Sequence, residues 1–487
     1  MHIQFITHAC LKITSDFGTL ICDPWLLNEP VFNLSTWKFP PALLTPEEVI
    51  KNCDYLLITH SHEDHFHIPS LNYFPRDIPI ILSAFDTHPS LRAHTIELVL
   101  RQLGFNNITR LRSWESFSLS AKSTLTCIPN AKSRDHDWEN MGFVLRDADT
   151  TLLNLNDNVN DEALCHEIKQ RFPHIDIGFI QTGGVTMFPG CFRMPLQDMQ
   201  RAADERKFRF LEQRRLLDFI QPRVVAPFAG DFAWFADQYF HNNWANRTTP
   251  LLFQQMLTEY YASQDVELIL LQPSDTWSLA EGHQYQTRRI DWHNMLDEIK
   301  YAKTLFTPKL HALEHYLHEV NLNNLMQRSQ RYTHNIANYI TRDYIDFSAR
   351  FRFTIEGAHS NFSFVTKTDP INKFQVDWND HAKVDQTLYV PEHIWAAILE
   401  GKLMWNIIQW VGQAEQEQFT RDMGRMWFWM EYHIDLNNKN IQVNIADQLL
   451  AQIGRYTEPT KATFPMHNET QQLAKFYGLK IDRTYAK

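Results

Sequence analysis

Cysteine is scarce in this sequence, and no two cysteines lie close together along the chain. The six cysteines are scattered over the first 191 residues, and no Cys-x-x-Cys motif occurs. A disulfide framework or a structural zinc site of the Cys-x-x-Cys kind is therefore not expected. Scattered cysteines with apolar neighbours are typical of small core residues in a reducing compartment.

The sequence also lacks an excess of positive charge and a long apolar run. It has 57 acidic and 46 basic residues and a formal net charge of −11, so a broad nucleic-acid surface is not expected. No apolar segment approaches the roughly 20 residues of a membrane-spanning helix. The first residues lack the basic start and apolar stretch of a signal peptide. We therefore expect a cytoplasmic protein without a membrane span that acts on a small molecule.

The sequence contains enough apolar residues to form large hydrophobic cores. Apolar residues make up 44% of the 487 residues, a length that predicts two or three domains. Short strand-like runs alternate with helix-like stretches up to about residue 240, which predicts a layered α/β domain. We place this catalytic domain at residues 1–280, an α+β domain at 281–435 and a capping segment at 436–487. The strand-like runs of the first domain are 3–6, 11–13, 19–22, 55–59, 78–82, 124–128, 142–145, 151–155, 175–181 and 223–226.

One motif carries most of the chemical information. Residues 58–65 read Ile-Thr-His-Ser-His-Glu-Asp-His and end an apolar strand-like run. His60 and His62 are two residues apart, so they share one face of a strand and can bind one ion. Asp64 and His65 follow where the chain leaves the strand, and they can turn toward a neighbouring ion. Imidazole and carboxylate together favour iron, zinc or manganese over calcium or magnesium, so the motif predicts a metalloenzyme with one or two ions.

This motif resembles the signature of the metallo-β-lactamase fold, an αββα sandwich. The resemblance implies that later strands deliver a third histidine and a bridging aspartate. His136 matches the histidine, with Asp135 and Asp137 as competitors beside it, and Asp157 at a strand end matches the aspartate. Together with Asp64, Asp157 is then a catalytic candidate as well as a ligand.

The resemblance also implies a final histidine in a Pro-Phe-His turn, but this chain has Ala229 at that position. Two alternatives remain open. The first is an asymmetric two-metal site, in which Asp64, His65 and Asp157 hold the second ion and water, substrate or Asp231 completes it. The second is a single ion held by His60, His62 and His136.

Several short segments are similar to the CMP-N-acetylneuraminate hydroxylase family. They are the sequences Ile-Gln-Phe-Ile-Thr-His-Ala-Cys, Cys-Asp-Pro-Trp-Leu and Ala-Pro-Phe-Ala-Gly-Asp-Phe at residues 3–10, 22–26 and 226–232. The resemblance continues loosely at residues 183–189, 401–405 and 426–429. It implies a non-haem iron hydroxylase for a small polar metabolite, with nucleotide sugars as one class. The second domain loosely resembles a sterol-carrier-protein lobe.

That family carries an N-terminal Rieske domain, and this chain has no Cys-x-His pair of the Rieske type. We therefore expect no cluster bound by this chain and a separate Rieske or ferredoxin-type electron donor. The alternative activity is hydrolysis of a phosphoester, lactone or amide by metal-bound water at a dinuclear zinc or manganese site. A degenerate fold used only for binding is a third interpretation.

Some residues near the motif are candidates for supporting roles. His8 and Asp23 end the first strand-like runs, where side chains can orient metal ligands, and Asp231 is a further candidate. Arg134 beside the predicted third histidine is a candidate for binding an anionic substrate. The tryptophans at 405, 410, 427 and 429 are expected to lie in a core.

Overall fold

The computed structural model describes most of the chain up to residue 400, and the predicted capping segment at 436–487 lies outside the described residues. All statements on structure concern the residues that it describes. These are 1–31, 36–60, 62–84, 96–97, 100–101, 103–131, 140–158, 160–181, 188–212, 219–230, 232–245, 258, 266–286, 289–339, 348–369, 371, 373–379, 381, 383–400 and 415–417.

The strands fall into two large sheets, one smaller sheet and one short ribbon. In chain order they are β1 (His2–Thr7), β2 (Cys10–Ser15), β3 (Gly18–Cys22), β4 (Trp37–Lys38), β5 (Tyr55–Ile58), β6 (Ile80–Ser83), β7 (Ile108–Leu111), β8 (Ser116–Ser118), β9 (Thr124–Ile128), β10 (Gly142–Arg146), β11 (Thr151–Asn154), β12 (Ile177–Gln181), β13 (Val224–Phe228), β14 (Phe232–Ala233), β15 (Glu267–Leu268), β16 (Thr276–Ser278), β17 (Gly282–Gln284), β18 (Ala349–Glu356), β19 (Phe362–Asp369), β20 (Lys373–Asp377), β21 (Gln386–Pro391) and β22 (Glu415–Glu417).

The helices lie outside the sheets. The α-helices are α1 (Pro46–Ile50), α2 (Ile68–Leu71), α3 (Glu162–Arg171), α4 (Leu196–Glu212), α5 (Asn242–Ala245), α6 (Met295–His318), α7 (Leu325–Tyr339) and α8 (Glu392–Leu399), with short 3-10 turns at Asp237–Tyr239 and Trp292–Asn294. None of the helices in the described ranges combines the length and the apolar character that crossing a membrane requires.

Two sheets stack face to face in the first domain. The first has the strand order β17-β16-β1-β2-β3-β5-β6-β7, and the second has the order β15-β13-β12-β11-β10-β9-β8. Side chains alternate along β1, where Ile3 and Phe5 point inward and His2 is exposed, as the two-residue period of a strand requires. Ile3 and Phe5 join Phe143 and Phe179 of the facing sheet in one buried cluster.

The outer faces of both sheets are covered by helical segments. Ile58 and Ile80 of the first sheet pack against Leu71 of α2. On the other side, Leu153 of the second sheet packs against Ile168 of α3. The predicted α/β sandwich is therefore confirmed, because helices, sheet, sheet and helices form successive layers.

The first sheet extends slightly beyond the predicted boundary at residue 280. β16 pairs with β1, and β17 returns along β16 with Trp277 opposite His283. The sequence predicts the start of the second domain at the polar stretch from residue 281. It is an edge hairpin instead, and edge strands are commonly short and polar because one side of their backbone faces solvent.

The second domain consists of a sheet in the order β20-β19-β18-β21-β22 covered by α6, α7 and α8. β18 alternates strictly between buried and partly exposed side chains. Its Phe353 lies in one core with Trp395 of α8, whose indole nitrogen donates to Ser329 of α7 at 2.7 Å. The parallel strand β21 was not predicted, because its polar start conceals it and only pairing with β18 makes it a strand.

A stacked histidine pair in the second domain gives a pH prediction. The rings of His318 and His393 lie 4.4 Å apart, and burial together with the His318 charge lowers the pKa of His393 from 6.5 to about 4. The unfolded chain then binds more protons than the folded chain between these values, so stability falls as the pH drops from 6.5 toward 4. His393→Gln should therefore reduce the fall in melting temperature between pH 7 and pH 5 relative to wild type. Equal falls in both proteins would contradict this role.

Candidate metal centre

Residues 58–60 and 62–65 of the motif lead from the end of β5 into a tight turn. Thr59 and His60 continue from the buried strand and are themselves buried. The backbone amides of His65 and Phe66 then both donate to the carbonyl oxygen of His62, at 2.9 and 2.7 Å. This turn separates the pair His60 and His62 from Asp64 and His65.

His60, His62 and Asp157 form the first cluster. The Nε2 atom of His60 lies 2.8 Å from Nδ1 of His62. Oδ2 of Asp157 is 3.6 Å from the His60 nitrogen and 3.9 Å from the His62 nitrogen. One ligand atom of each residue falls within 4.8 Å of the other two, close enough for a shared metal ion.

His8, Asp64 and His65 form the second cluster, and all three are buried. Nε2 of His8 lies 2.9 Å from Oδ2 of Asp64, and Nε2 of His65 lies 3.4 Å from the same oxygen. The sequence predicted Asp64 and His65 together but assigned His8 only a supporting role. The structure places His8 beside them because β1 ends next to the turn after β5.

Asp157 lies between the two clusters. It follows β11, and its Oδ1 atom is 3.6 Å from Nε2 of His65, while Oδ2 faces the first cluster. One carboxylate oxygen therefore faces each cluster, which is the arrangement of a bridging ligand. Gln181 at the end of the neighbouring strand β12 donates to Oδ1 at 2.7 Å, a contact that the sequence did not reveal.

Asp23 holds the second cluster in place. Its fully buried carboxylate accepts hydrogen bonds from Nδ1 of His65 at 2.9 Å and from the amide of Thr59 at 2.8 Å. The Thr59 hydroxyl and the Asn156 amide donate to it as well, at 2.7 and 2.6 Å. A carboxylate on the far nitrogen of a histidine fixes its ring orientation and leaves Nε2 facing inward. The sequence indicated Asp23 for such a role but not Asn156.

The charges of the site suit a cation. Although burial raises the pKa of Asp64, the charges and hydrogen bonds of His65 and His8 outweigh it and hold that pKa well below its usual range. Burial likewise raises the pKa of Asp157, but the charge of His65 and the hydrogen bonds of His60 and His62 outweigh it and hold that pKa well below its usual range. Burial, followed by the charges of His65 and His62, lowers the pKa of His60 to about 4. Ionised carboxylates and a neutral His60 are the protonation states that metal binding requires. Burial lowers the pKa of His65, but the charges of Asp64, Asp157 and Asp23 outweigh it and raise that pKa, so this ring has to release a proton when it binds an ion.

Unsatisfied polar atoms point to the same conclusion. Nε2 of His65 and Oδ1 of Asp64 are buried without a hydrogen-bond partner in the described structure. Buried polar groups are nearly always satisfied, so such a group of orphaned atoms indicates an ion that the protein binds. The residues present therefore fit a metal centre.

Comparison with protein families identifies the fold around these clusters. Residues 24–211 match the family model of the beta-lactamase superfamily domain. The matched segment contains the motif at residues 58–65 and Asp157. His8 and Ala229 lie outside this superfamily segment, so the match itself says nothing of their roles.

The superfamily domain is similar to several curated proteins. A protein named as a Rieske 2Fe-2S iron-sulfur protein of Mycobacterium tuberculosis is 26% identical over 250 residues, which cover 50% of this chain and 46% of the relative. The 4-amino-L-phenylalanyl-[CmlP-peptidyl-carrier-protein] 3-hydroxylase of Streptomyces venezuelae is 22% identical over 47% of this chain and 43% of its own. The cytidine monophosphate-N-acetylneuraminic acid hydroxylase of Danio rerio is 30% identical over 81 residues, 16% of this chain and 14% of its own. This chain thus spans less than half the length of each relative.

The other predicted site residues divide into two groups. Ala229 follows β13 in the superfamily sandwich, is buried, and has a positive φ of 50°. Its amide donates to the carbonyl oxygen of His8 at 3.2 Å, so it borders the second cluster without offering a ligand atom. The predicted residues at 134, 136 and 231, the competitors at 135 and 137, the glycines at 183 and 184 and the tryptophans at 405, 410, 427 and 429 lie outside the described residues.

Proposed function

We propose that this chain is a metal-dependent hydroxylase in which iron is the favoured metal, bound at the two clusters and bridged by Asp157. The observation that supports it is the pair of histidine and carboxylate clusters sharing one aspartate, in a domain similar to proteins named as hydroxylases. Nitrogen and oxygen ligation without cysteine is compatible with non-haem iron, as it is with zinc or manganese. His136 remains the proposed additional ligand of the first cluster.

The bound metal would supply activation of O₂, with one oxygen atom inserted into a C–H bond and the other released as water. This balance consumes two electrons and two protons from outside the substrate. We propose a separate Rieske or ferredoxin-type protein as the electron source, and the name of the Mycobacterium tuberculosis relative supports that class of donor. The proposed substrate is a small polar metabolite, with nucleotide sugars as one class.

The chain's own residues prepare the site for this chemistry. His60 is neutral and presents Nε2, Asp157 presents one oxygen to each cluster, and Asp23 holds the His65 ring with Nε2 inward. Trp25 and Phe232 pack against the His8 ring, with ring centres 5.4 and 4.7 Å away. Both aromatic side chains are buried, so they exclude water from one side of the second cluster.

Oxygen consumption by the reduced iron form tests this proposal. The protein is loaded with ferrous iron under anaerobic conditions, freed of reductant and mixed with O₂. We expect uptake of about one O₂ per chain together with a ferric charge-transfer absorption. His60→Ala should lose most of the iron and both signals, and the zinc form should take up no O₂.

The hydrolase alternative gives the opposite outcome. Iron-loaded protein that is inert toward O₂, combined with hydrolysis of a phosphodiester, lactone or amide by the zinc or manganese form, would reject the hydroxylase proposal. The metal clusters would remain, and metal-bound water would be the nucleophile.

A further inference from the structure

We infer that His8 is a direct ligand of the metal ion in the second cluster and takes the place of the histidine that position 229 lacks. This inference rests on the two-metal site of the proposed function. It changes the role of His8 from a residue that orients ligands to one that binds the ion itself.

The spacing of the second cluster matches atoms that share one ion. Two ligand atoms at about 2.1 Å from a metal, with an angle of roughly 90–110° between them, lie about 3.0–3.4 Å apart. Nε2 of His8 and Nε2 of His65 lie 2.9 and 3.4 Å from Oδ2 of Asp64. The His65 spacing falls within this range, and the His8 spacing lies at its lower edge, where a hydrogen bond from His8 to Asp64 would lie as well.

The surroundings of His8 leave its ring available to an ion. Nε2 of His8 faces the carboxylate of Asp64 in the second cluster, and no backbone hydrogen bond to Nδ1 of the ring is found in the described structure. The ring is held instead by apolar and aromatic contacts with Trp25 and Phe232. Only 3% of His8 is exposed. Burying its polar ring nitrogens costs free energy unless they find partners.

His8 and Ala229 lie on two turns that contact each other, which explains how His8 can replace a histidine at position 229. β1 and β13 belong to the two different sheets of the sandwich, and both end at the metal centre. The residues that follow them, His8 and Ala229, have positive φ values of 47° and 50° and are joined by a backbone hydrogen bond of 3.2 Å. The two turns are thus in direct contact, and an imidazole on one turn can reach the space that an imidazole on the other would fill.

A competing role for His8 is to orient Asp64 by a hydrogen bond without touching the ion. His8→Gln separates the two roles, because the glutamine amide can donate to Asp64 but is a poor metal ligand. Losing an orienting group weakens metal affinity by about 10–100-fold, whereas losing a ligand goes beyond that. Metal content measured by mass spectrometry, with affinity from competition with a chelator, distinguishes these outcomes without measuring activity.

We expect wild type to bind about two ions per chain, and His8→Gln and His8→Ala to retain about one, with the second ion weakened more than about 100-fold. His2→Ala is the matched control, since His2 is an exposed histidine on the same strand, and it should keep both ions. Adding Ala229→His to His8→Ala should restore the second ion. Circular dichroism verifies that each variant is folded.

Retention of both ions by His8→Gln, within about 100-fold of the wild-type affinity, would overturn the inference and leave His8 as an orienting group. If the folded double variant His8→Ala with Ala229→His binds only one ion, a histidine at position 229 cannot replace His8 as a ligand. Neither result bears on O₂ uptake, so this inference and the proposed hydroxylase activity can fail separately. If His8→Ala does not fold, the glutamine variant still decides the question.

Discussion

Asp157→Ala should remove both metal ions, a larger effect than any other single substitution in the site. Its two carboxylate oxygens face different clusters, at 3.6 Å from His60 and 3.6 Å from His65. Without this carboxylate, each described cluster loses an anionic ligand, and the two positive ions lose the charge between them. We expect affinity for both ions to fall by at least about 100-fold, with O₂ uptake at background.

The control for this variant is Asp149→Ala, which removes an exposed carboxylate in the turn just before β11. It should keep about two ions per chain and wild-type uptake. The number of metal ions bound per chain is measured for both variants after dialysis against the same buffer. Asp157→Ala protein that loses only one ion would show that the carboxylate serves one cluster and does not bridge.

Asp23→Asn should weaken the ion of the second cluster and destabilise the fold together. The Oδ2 atom of Asp23 accepts from His65, the Thr59 hydroxyl and Asn156, and Oδ1 accepts from the Thr59 amide, all in a fully buried position. An amide at Asp23 cannot accept all of these bonds, so at least one buried donor loses its partner, at a cost of about 1–3 kcal/mol. Release of the His65 ring should lower metal affinity by about 10–100-fold.

Asp275→Asn is the matched control for this variant. Asp275 is equally buried, and its carboxylate is bound by His283 and Arg289 at the edge of the first sheet. Its substitution should lower the melting temperature without changing metal affinity. If both variants lower the melting temperature and neither changes metal affinity, Asp23 is only a structural residue.

The part of the site that could be predicted from the sequence is the part that is local in the chain. His60, His62, Asp64 and His65 lie within six residues. Strand periodicity pairs His60 with His62, and the end of the strand assigns Asp64 and His65 to a neighbouring ion. Asp157 could be placed because a strand-like run ends just before it. These residues come together in the structure as the two clusters, and their roles as ligands stay a prediction.

The part that could not be predicted depends on contacts between distant segments. His8 reaches Asp64 only because two strands of the first sheet end at the same edge, and a single histidine after a strand carries no such information. Asn156 and Gln181 are ordinary polar residues until the sheets stack and direct them at Asp23 and Asp157. The edge hairpin at β16 and β17 was missed for the same reason, since only its pairing with β1 makes it a strand.

The position of His8 also changes the argument about chemistry. From the sequence, Ala229 left the second ion to be completed by water, substrate or Asp231, and such an open position is compatible with O₂ or substrate binding there. If His8 fills that position, the absence of a histidine at position 229 no longer favours oxygenation over hydrolysis. The hydroxylase proposal then depends on the similarity to proteins named as hydroxylases.

Anomalous X-ray diffraction from a crystal of the metal-loaded protein tests the two-metal centre most directly. The structure predicts two anomalous peaks roughly 3.5–4 Å apart, one on each side of the Asp157 carboxylate. One peak should be within bonding distance of His60 and His62, and the other within bonding distance of His8, Asp64 and His65. A single peak at His60 and His62 in fully loaded protein, with the second cluster empty, would contradict the account.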